Sequence, residues 1–361
     1  DSTPLASSAD ALETQVPTTS SAQIANDLDA RVSLHVGGQV DALPALVGST
    51  GDDRLVVEII GQSTELQTSL TVHGGLGEND VLVLAGGSFD TVRYLYDSAR
   101  PDFGAIQLDG LTVHYQGLEV IEDSTSATAR ELVAMGGGSE LRLSAGDSPA
   151  GSMTLTIGDQ QQLVMAQPSD SLTVSMESES EAAGDTLEIS GIVSRLDTHL
   201  NIVGDASDSL YWCGTTELGS GAVISRAGVI EVTGSIASDG GPIAMVASES
   251  LTVSAASRMA SPGGQIHLDA GAEGTLLVSG EISTAQSEYD RAGGAIQLLG
   301  HHVGLLDAAR VDVSGDSGGG TVLVGGDYQG KNPEIRNASR TYVGTETRID
   351  ADAVTVGDGG K

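Results

Sequence analysis

Two short acidic turns hold the residue types best suited to chemistry in this chain. Gly74-Gly75-Leu76-Gly77-Glu78-Asn79-Asp80-Val81-Leu82 places Asp80 behind three glycines, and Gly48-Ser49-Thr50-Gly51-Asp52-Asp53-Arg54-Leu55 places Asp52 and Asp53 behind a second turn. Carboxylates and backbone carbonyls presented by a tight turn are hard oxygen ligands for Ca²⁺, and glycine supplies the backbone geometry such a turn needs. Asp52, Asp53 and Asp80 are therefore candidate Ca²⁺ ligands, the one cofactor the sequence suggests. Gly48 and Gly74 begin the two turns 26 residues apart, a spacing that allows the turns to stack on neighbouring coils. The same residues also read as plain Asp-Gly turns with no metal.

Other chemistry is weaker in the sequence. Asp307, Asp312 and Asp316, or Glu281, Glu288 and Asp290, can be arranged on paper as the carboxylates of a carbohydrate-active enzyme. Such an enzyme needs two carboxyls at a defined separation across the bond and usually aromatic surface beside the sugar. With one Trp and two Phe, the chain favours a solvated acidic flank instead. His301-His302 is an adjacent pair, and adjacent residues of a strand face opposite sides. The lone Cys213 beside Tyr211 and Trp212 reads as a filler between two halves of the chain. Gly136-Gly137-Gly138 and Gly318-Gly319-Gly320 lack the Lys-Ser/Thr and helix of a phosphate loop and read as turns. No catalytic residue is assigned, and the chain is expected not to be an enzyme.

These turns are held by short alternating segments. Arg54-Leu55-Val56-Val57-Glu58-Ile59-Ile60, Ser69-Leu70-Thr71-Val72, Ser152-Met153-Thr154-Leu155-Thr156-Ile157 and Thr186-Leu187-Glu188-Ile189 are four of many, each bounded by Gly, Asp or Ser. In the second half they become a repeat. Gly-Gly pairs followed by alternating apolar residues begin at Gly240, Gly263, Gly293 and Gly319, in steps of 23, 30 and 26 residues. That spacing suits one coil of a stacked β-solenoid. The expected architecture is all-β: a right-handed parallel β-helix, or two abutting solenoid sections. Residues 1–30 form an arm or cap, 31–210 a first section with Gly/Asp turns, and 211–361 a second section. A further Gly-Gly pair at Gly359-Gly360 suggests that more coils follow or that a partner covers the last one. The segment 283–292 should protrude as a loop.

Composition narrows the partners. Of 361 residues, 16 are basic and 50 acidic, a net charge of −34. Such a chain repels phosphate backbones, so no nucleic acid partner is expected. No apolar run approaches the roughly 20 residues of a membrane span. Aromatics are 3% of the chain, so Val, Ile and Leu must build the core in thin layers.

The run Gly325-Gly326-Asp327-Tyr328-Gln329-Gly330, with Asn332-Pro333, Asn337-Ala338, Thr341-Tyr342-Val343-Gly344, Ile349-Asp350-Ala351-Asp352-Ala353 and Gly357-Asp358-Gly359-Gly360, resembles a segment of filamentous-haemagglutinin-like large bacterial exoproteins. The stretch from Gly51-Asp52-Asp53 to Gly117-Leu118-Glu119 is similar to a block of giant bacterial repeat exoproteins. Within it, Gly74 to Leu82 resembles the Gly-rich nonapeptide that binds Ca²⁺ in β-rolls, with one residue extra at Glu78 or Asn79. The resemblance implies secretion, a right-handed β-helix and a place on the bacterial cell surface, in adhesion or a matrix. The function expected is that of a stiff, non-enzymatic adhesin or fibre component. Its partners would be neighbouring copies or further coils, and host, cell-surface or matrix carbohydrate. A self-assembling filament or surface-layer subunit, and a lyase or glycosidase, are the alternatives.

Overall fold

The computed structural model describes residues 13–15, 30–35, 45–62, 68–98, 100, 102–146, 151–158, 161–176 and 183–361. The expected cap over residues 1–30 lies almost wholly outside them. Within them the protein is all-β, with one 3₁₀ turn at Tyr328–Gly330 and no longer helix. The alternating segments form strands, as period-two patterning requires when one face is buried. In Val81–Asp97 the inward residues Leu82, Leu84, Val92, Tyr94 and Tyr96 are buried, and their neighbours are not.

The expected right-handed parallel β-helix is not the architecture. The sheet closes into an eleven-strand mixed barrel with the other strands outside it. Its circuit runs from Val81–Asp97 to Val120–Asp123, Gln161–Ala166, Ser152–Ile157 and Glu140–Ala145. It continues through Thr186–Leu196, Ser209–Trp212, Val223–Val232, His199–Val203, Ser171–Ser175 and Ser126–Met135, and returns to Val81–Asp97.

Two features produce the closure. First, Ser152–Ile157 pairs antiparallel on both sides. A second antiparallel insert, Phe103–Leu108, sits between Val81–Asp97 and Leu111–Gln116 outside the circuit. Second, long strands serve two ladders. Val81–Asp97 pairs with Val120–Asp123 through its first residues and with Ser126–Met135 through its later ones. Val223–Val232 does the same with His199–Val203 and Ser209–Trp212.

Beyond the circuit the Gly-Gly strands lie side by side in parallel, with Ile243, Ile266, Ile296 and Val322 successive register partners. The ladder beside them aligns Met259, Ile282, Val311 and Ile349. The first three of each series are at most 1% exposed, each contributing about 1.5–3 kcal/mol by burial. The core they build is continuous with that of the barrel. Trp212, not Cys213, fills space in that core; Cys213 is exposed.

Candidate functional site

The acidic turns are built by the residue immediately before each strand. Asp53 precedes Arg54–Gln62, Asp80 precedes Val81–Asp97, and Glu119 precedes Val120–Asp123. Because these strands pair in parallel, the three acids form a column. Two of the three backbone amides donate to the carboxylate of the next acid in the column: Asp53 N to Asp80 Oδ1 at 2.8 Å, and Asp80 N to Glu119 Oε2 at 2.7 Å. Asp53 Oδ2 accepts from Ser49 N (2.5 Å) and Ser49 Oγ (3.0 Å). Asp52 is exposed, and its carboxylate accepts from the amides of Glu78 and Asn79, both at 3.1 Å, and from Asn79 Nδ2 at 3.2 Å.

Glycine is required in the same turns because backbones touch there. A Cβ on Gly48 would stand 1.7 Å from the Gly74 carbonyl oxygen, and one on Gly74 1.7 Å from that of Gly117.

The column brings Asp53 and Asp80 together, with Asp52 flanking them. Their oxygens are directed mostly at backbone amides of adjacent turns. Among the described residues, no three Asp, Glu, His or Cys side chains are grouped so as to hold a metal ion. Asp80 Oδ2 is the exception: it is buried without a hydrogen-bond partner. Burial pushes the Asp80 carboxyl above its ordinary value, against the lowering effect of the Asp53 amide, and Glu119, Asp53 and Asp52 add to the rise. Asp52 is held low by the Asn79 side chain and the Glu78 amide.

A second column was not anticipated. Ser139 N donates to Asp185 Oδ1 at 2.6 Å, Asp185 N to Asp208 Oδ1 at 2.8 Å, and Asp205 N to Asp208 Oδ2 at 2.6 Å. Burial raises both Asp185 and Asp208. The shared signal is an acid two residues ahead of the first buried leucine: Asp53-Arg54-Leu55, Asp80-Val81-Leu82, Asp185-Thr186-Leu187 and Asp208-Ser209-Leu210.

The most enclosed polar cluster is centred on Arg130. Its side chain and that of Asp123 are wholly buried, 2.7 Å apart. Arg130 also donates to the Tyr94 hydroxyl and, through Nη2, to the Thr125 carbonyl at 2.5 Å. The Tyr94 hydroxyl donates to Asp123 Oδ2 at 2.5 Å, and Thr125 donates from N and Oγ1 to Asp123 Oδ1 at 2.8 and 2.6 Å. Burial opposes the Arg130 charge, but Tyr94 and Asp123 more than offset it and hold the guanidinium above its usual value. Burial first, and Asp123 second, push the Tyr94 phenol far up. This cluster ties three barrel strands at the corner Ser124-Thr125, where the chain passes between ladders. The one signal in the sequence is its phase: Arg130 lies two and four residues before the inward Leu132 and Ala134 of the same strand.

Of the imagined carboxylate sets, neither assembles as drawn. Glu281 and Asp312 line one open groove of about 450 Å³ together with Asp316, Arg258 and Arg310. Arg310 lies 3.3 Å from Asp312, and Arg258 3.8 Å from Glu281. The Thr355 hydroxyl and the Asp290 amide hold Asp316 below its ordinary value. That is the wrong direction for a general acid, which needs its proton near neutral pH.

No family model matches the chain, and neither does any curated protein or solved structure. No helix among the described residues is long and apolar enough to cross a membrane.

Proposed function

We propose that the chain is a non-enzymatic scaffold of a secreted bacterial surface protein, acting in adhesion or in an extracellular fibre. The observation that carries this reading is the unbroken apolar core, which runs through consecutive strands from Leu46 to Val313. Such a core makes a rigid platform, because all strands but those at the sheet ends, such as Thr321–Val324, Arg340–Val343 and Arg348–Asp350, are held by backbone hydrogen bonds on both sides. Two segments stand out from it, at 283–292 and 326–340. In the first, Tyr289 is 88% exposed, and in the second, Tyr328 is 73% exposed. Exposed loops on a rigid sheet are where recognition is usually carried. The acidic surface opposes non-specific association of copies.

Adhesion is tested with polystyrene beads coated with the protein and laid on cultured epithelial cells or on bacterial biofilm. Beads carrying the chain should be retained well above albumin-coated beads. Equal retention would remove the adhesive reading.

Assembly into a filament is a second reading, in which another copy of the chain, and not further strands of the same chain, covers the apolar residues at the last strands. Tyr342, Val343, Ile349, Val354 and Val356 are exposed together on and just beyond the last strands, Arg340–Val343 and Arg348–Asp350. Sedimentation velocity at increasing concentration should then show growing species. A single monomeric boundary throughout would count against assembly.

A further inference from the structure

We propose that the groove beside the Glu281–Ser283 and Arg310–Asp312 strands binds a neutral, hydroxyl-rich glycan. The inference rests on the adhesive reading above and gives it a ligand class. The groove follows the outward face of the ladder Arg258–Ala260, Glu281–Ser283 and Arg310–Asp312, whose middle residues Met259, Ile282 and Val311 are buried in the core. Its floor is made of small side chains, Ala260 and Ser283, and its volume is about 450 Å³. That is the size of an ordinary small-ligand cleft.

The polar groups along it alternate. Arg258 and Arg310 offer only donors, Glu281, Asp312 and Asp316 only acceptors, and Gln286 both. A hydroxyl group is donor and acceptor at once, so a ligand with a row of hydroxyls can answer this alternation at each point. In a molecule of net charge −34, the groove is a place where arginines nearly balance acids. A polyanion would meet three carboxylates and the field of the whole chain, and a polycation would meet two guanidiniums.

One rim is formed by the protruding loop. Its Asp290 amide donates to Asp316 Oδ2 at 2.8 Å, which ties the loop to the groove wall. Tyr289, next to Asp290 in that loop, has its ring free in solvent. An aromatic ring with an apolar face and a polar tip suits the C–H face of a sugar.

Isothermal titration with dextran, mannan and cellohexaose, alongside polygalacturonate and polylysine, tests this. At least one neutral glycan should bind, and Tyr289→Ala and Gln286→Ala should each raise its Kd about tenfold without moving the melting temperature. Binding of none of the three, binding unchanged in both variants, or binding confined to polygalacturonate or polylysine would overturn the proposal. Bead retention on cells with no glycan binding would remove the groove while leaving the adhesive reading in place.

Discussion

Asp80, Asp185 and Asp208 each pay for burial of a charge with a hydrogen bond from the adjacent strand, and the pH dependence of stability follows from that balance. Their folded pKa values lie above the unfolded value of about 3.9. Each therefore favours the folded state below the unfolded value, and loses that contribution as pH rises through its raised folded value. Asp52, Asp205, Asp316 and Asp327 have the opposite sign. Their contribution is present above the unfolded value and is lost as pH falls through their lowered values, about 2 for Asp327 beside Lys361. The melting temperature should climb as pH is lowered through the raised values of Asp80, Asp185 and Asp208 toward about 3.9 and fall again below it. Asp80→Asn keeps an acceptor oxygen and removes the charge. It should melt above the parent protein at the alkaline end and converge with it at the acidic end; a parallel pair of curves would refute the assignment. Arg130 makes a separate forecast. Arg130→Met leaves Asp123 buried without its cation and should cost about 3–5 kcal/mol by urea unfolding. Replacing Asp123 by Leu in the same molecule should recover part of that loss, and no recovery would mean that the cluster acts through packing alone.

At the scale of elements, the turns are limited by backbone contact and the strands by layered packing. Gly74→Ala sets a methyl 1.7 Å from the Gly117 carbonyl oxygen, backbone against backbone. It should destabilise by about 3 kcal/mol or more. Gly359→Ala, whose nearest neighbour would be 3.7 Å away, should change little. Similar melting of the two variants would show that the turn column adjusts freely. In the layered region, Ile266→Ala opens a void between Ile243 and Ile296 and should cost about 2–5 kcal/mol. Strand positions such as Arg54 to Ile60 and Thr186 to Ile189 were legible because alternation marks a half-buried strand, although the second strand runs on to Leu196. Pairing direction was not, since parallel and antiparallel strands alternate identically. One local signal bears on it: Leu108-Asp109-Gly110-Leu111 joins two antiparallel strands through an Asp-Gly turn, with Asp109 at φ 50°.

For the whole molecule, the excess of acids sets a long-range repulsion that folding must work against. Raising NaCl from about 0.01 to about 1 M shortens the screening length from about 30 to about 3 Å. The melting temperature should rise over that interval despite the loss of exposed pairs such as Arg54–Glu122 and Arg142–Glu188. A fall would mean that those pairs outweigh the net charge. The groove at Arg258 and Arg310 also belongs to this scale, because its residues come from separate turns of the chain and no short motif contains them.

The sequence by itself determined that the chain is all-β, where many strands begin and which glycines the turns require, because alternation and turn chemistry are local. It also marked Asp52, Asp53 and Asp80 as residues of one neighbourhood through their spacing. Only the tertiary structure decided that the sheet closes into a mixed barrel, that Arg130 is buried against Asp123, and that Asp185 and Asp208 form a second acidic column. Those outcomes depend on which strands meet, and a pairing between distant segments is set by the total of core packing and backbone hydrogen bonds over the molecule, which no single stretch of residues contains.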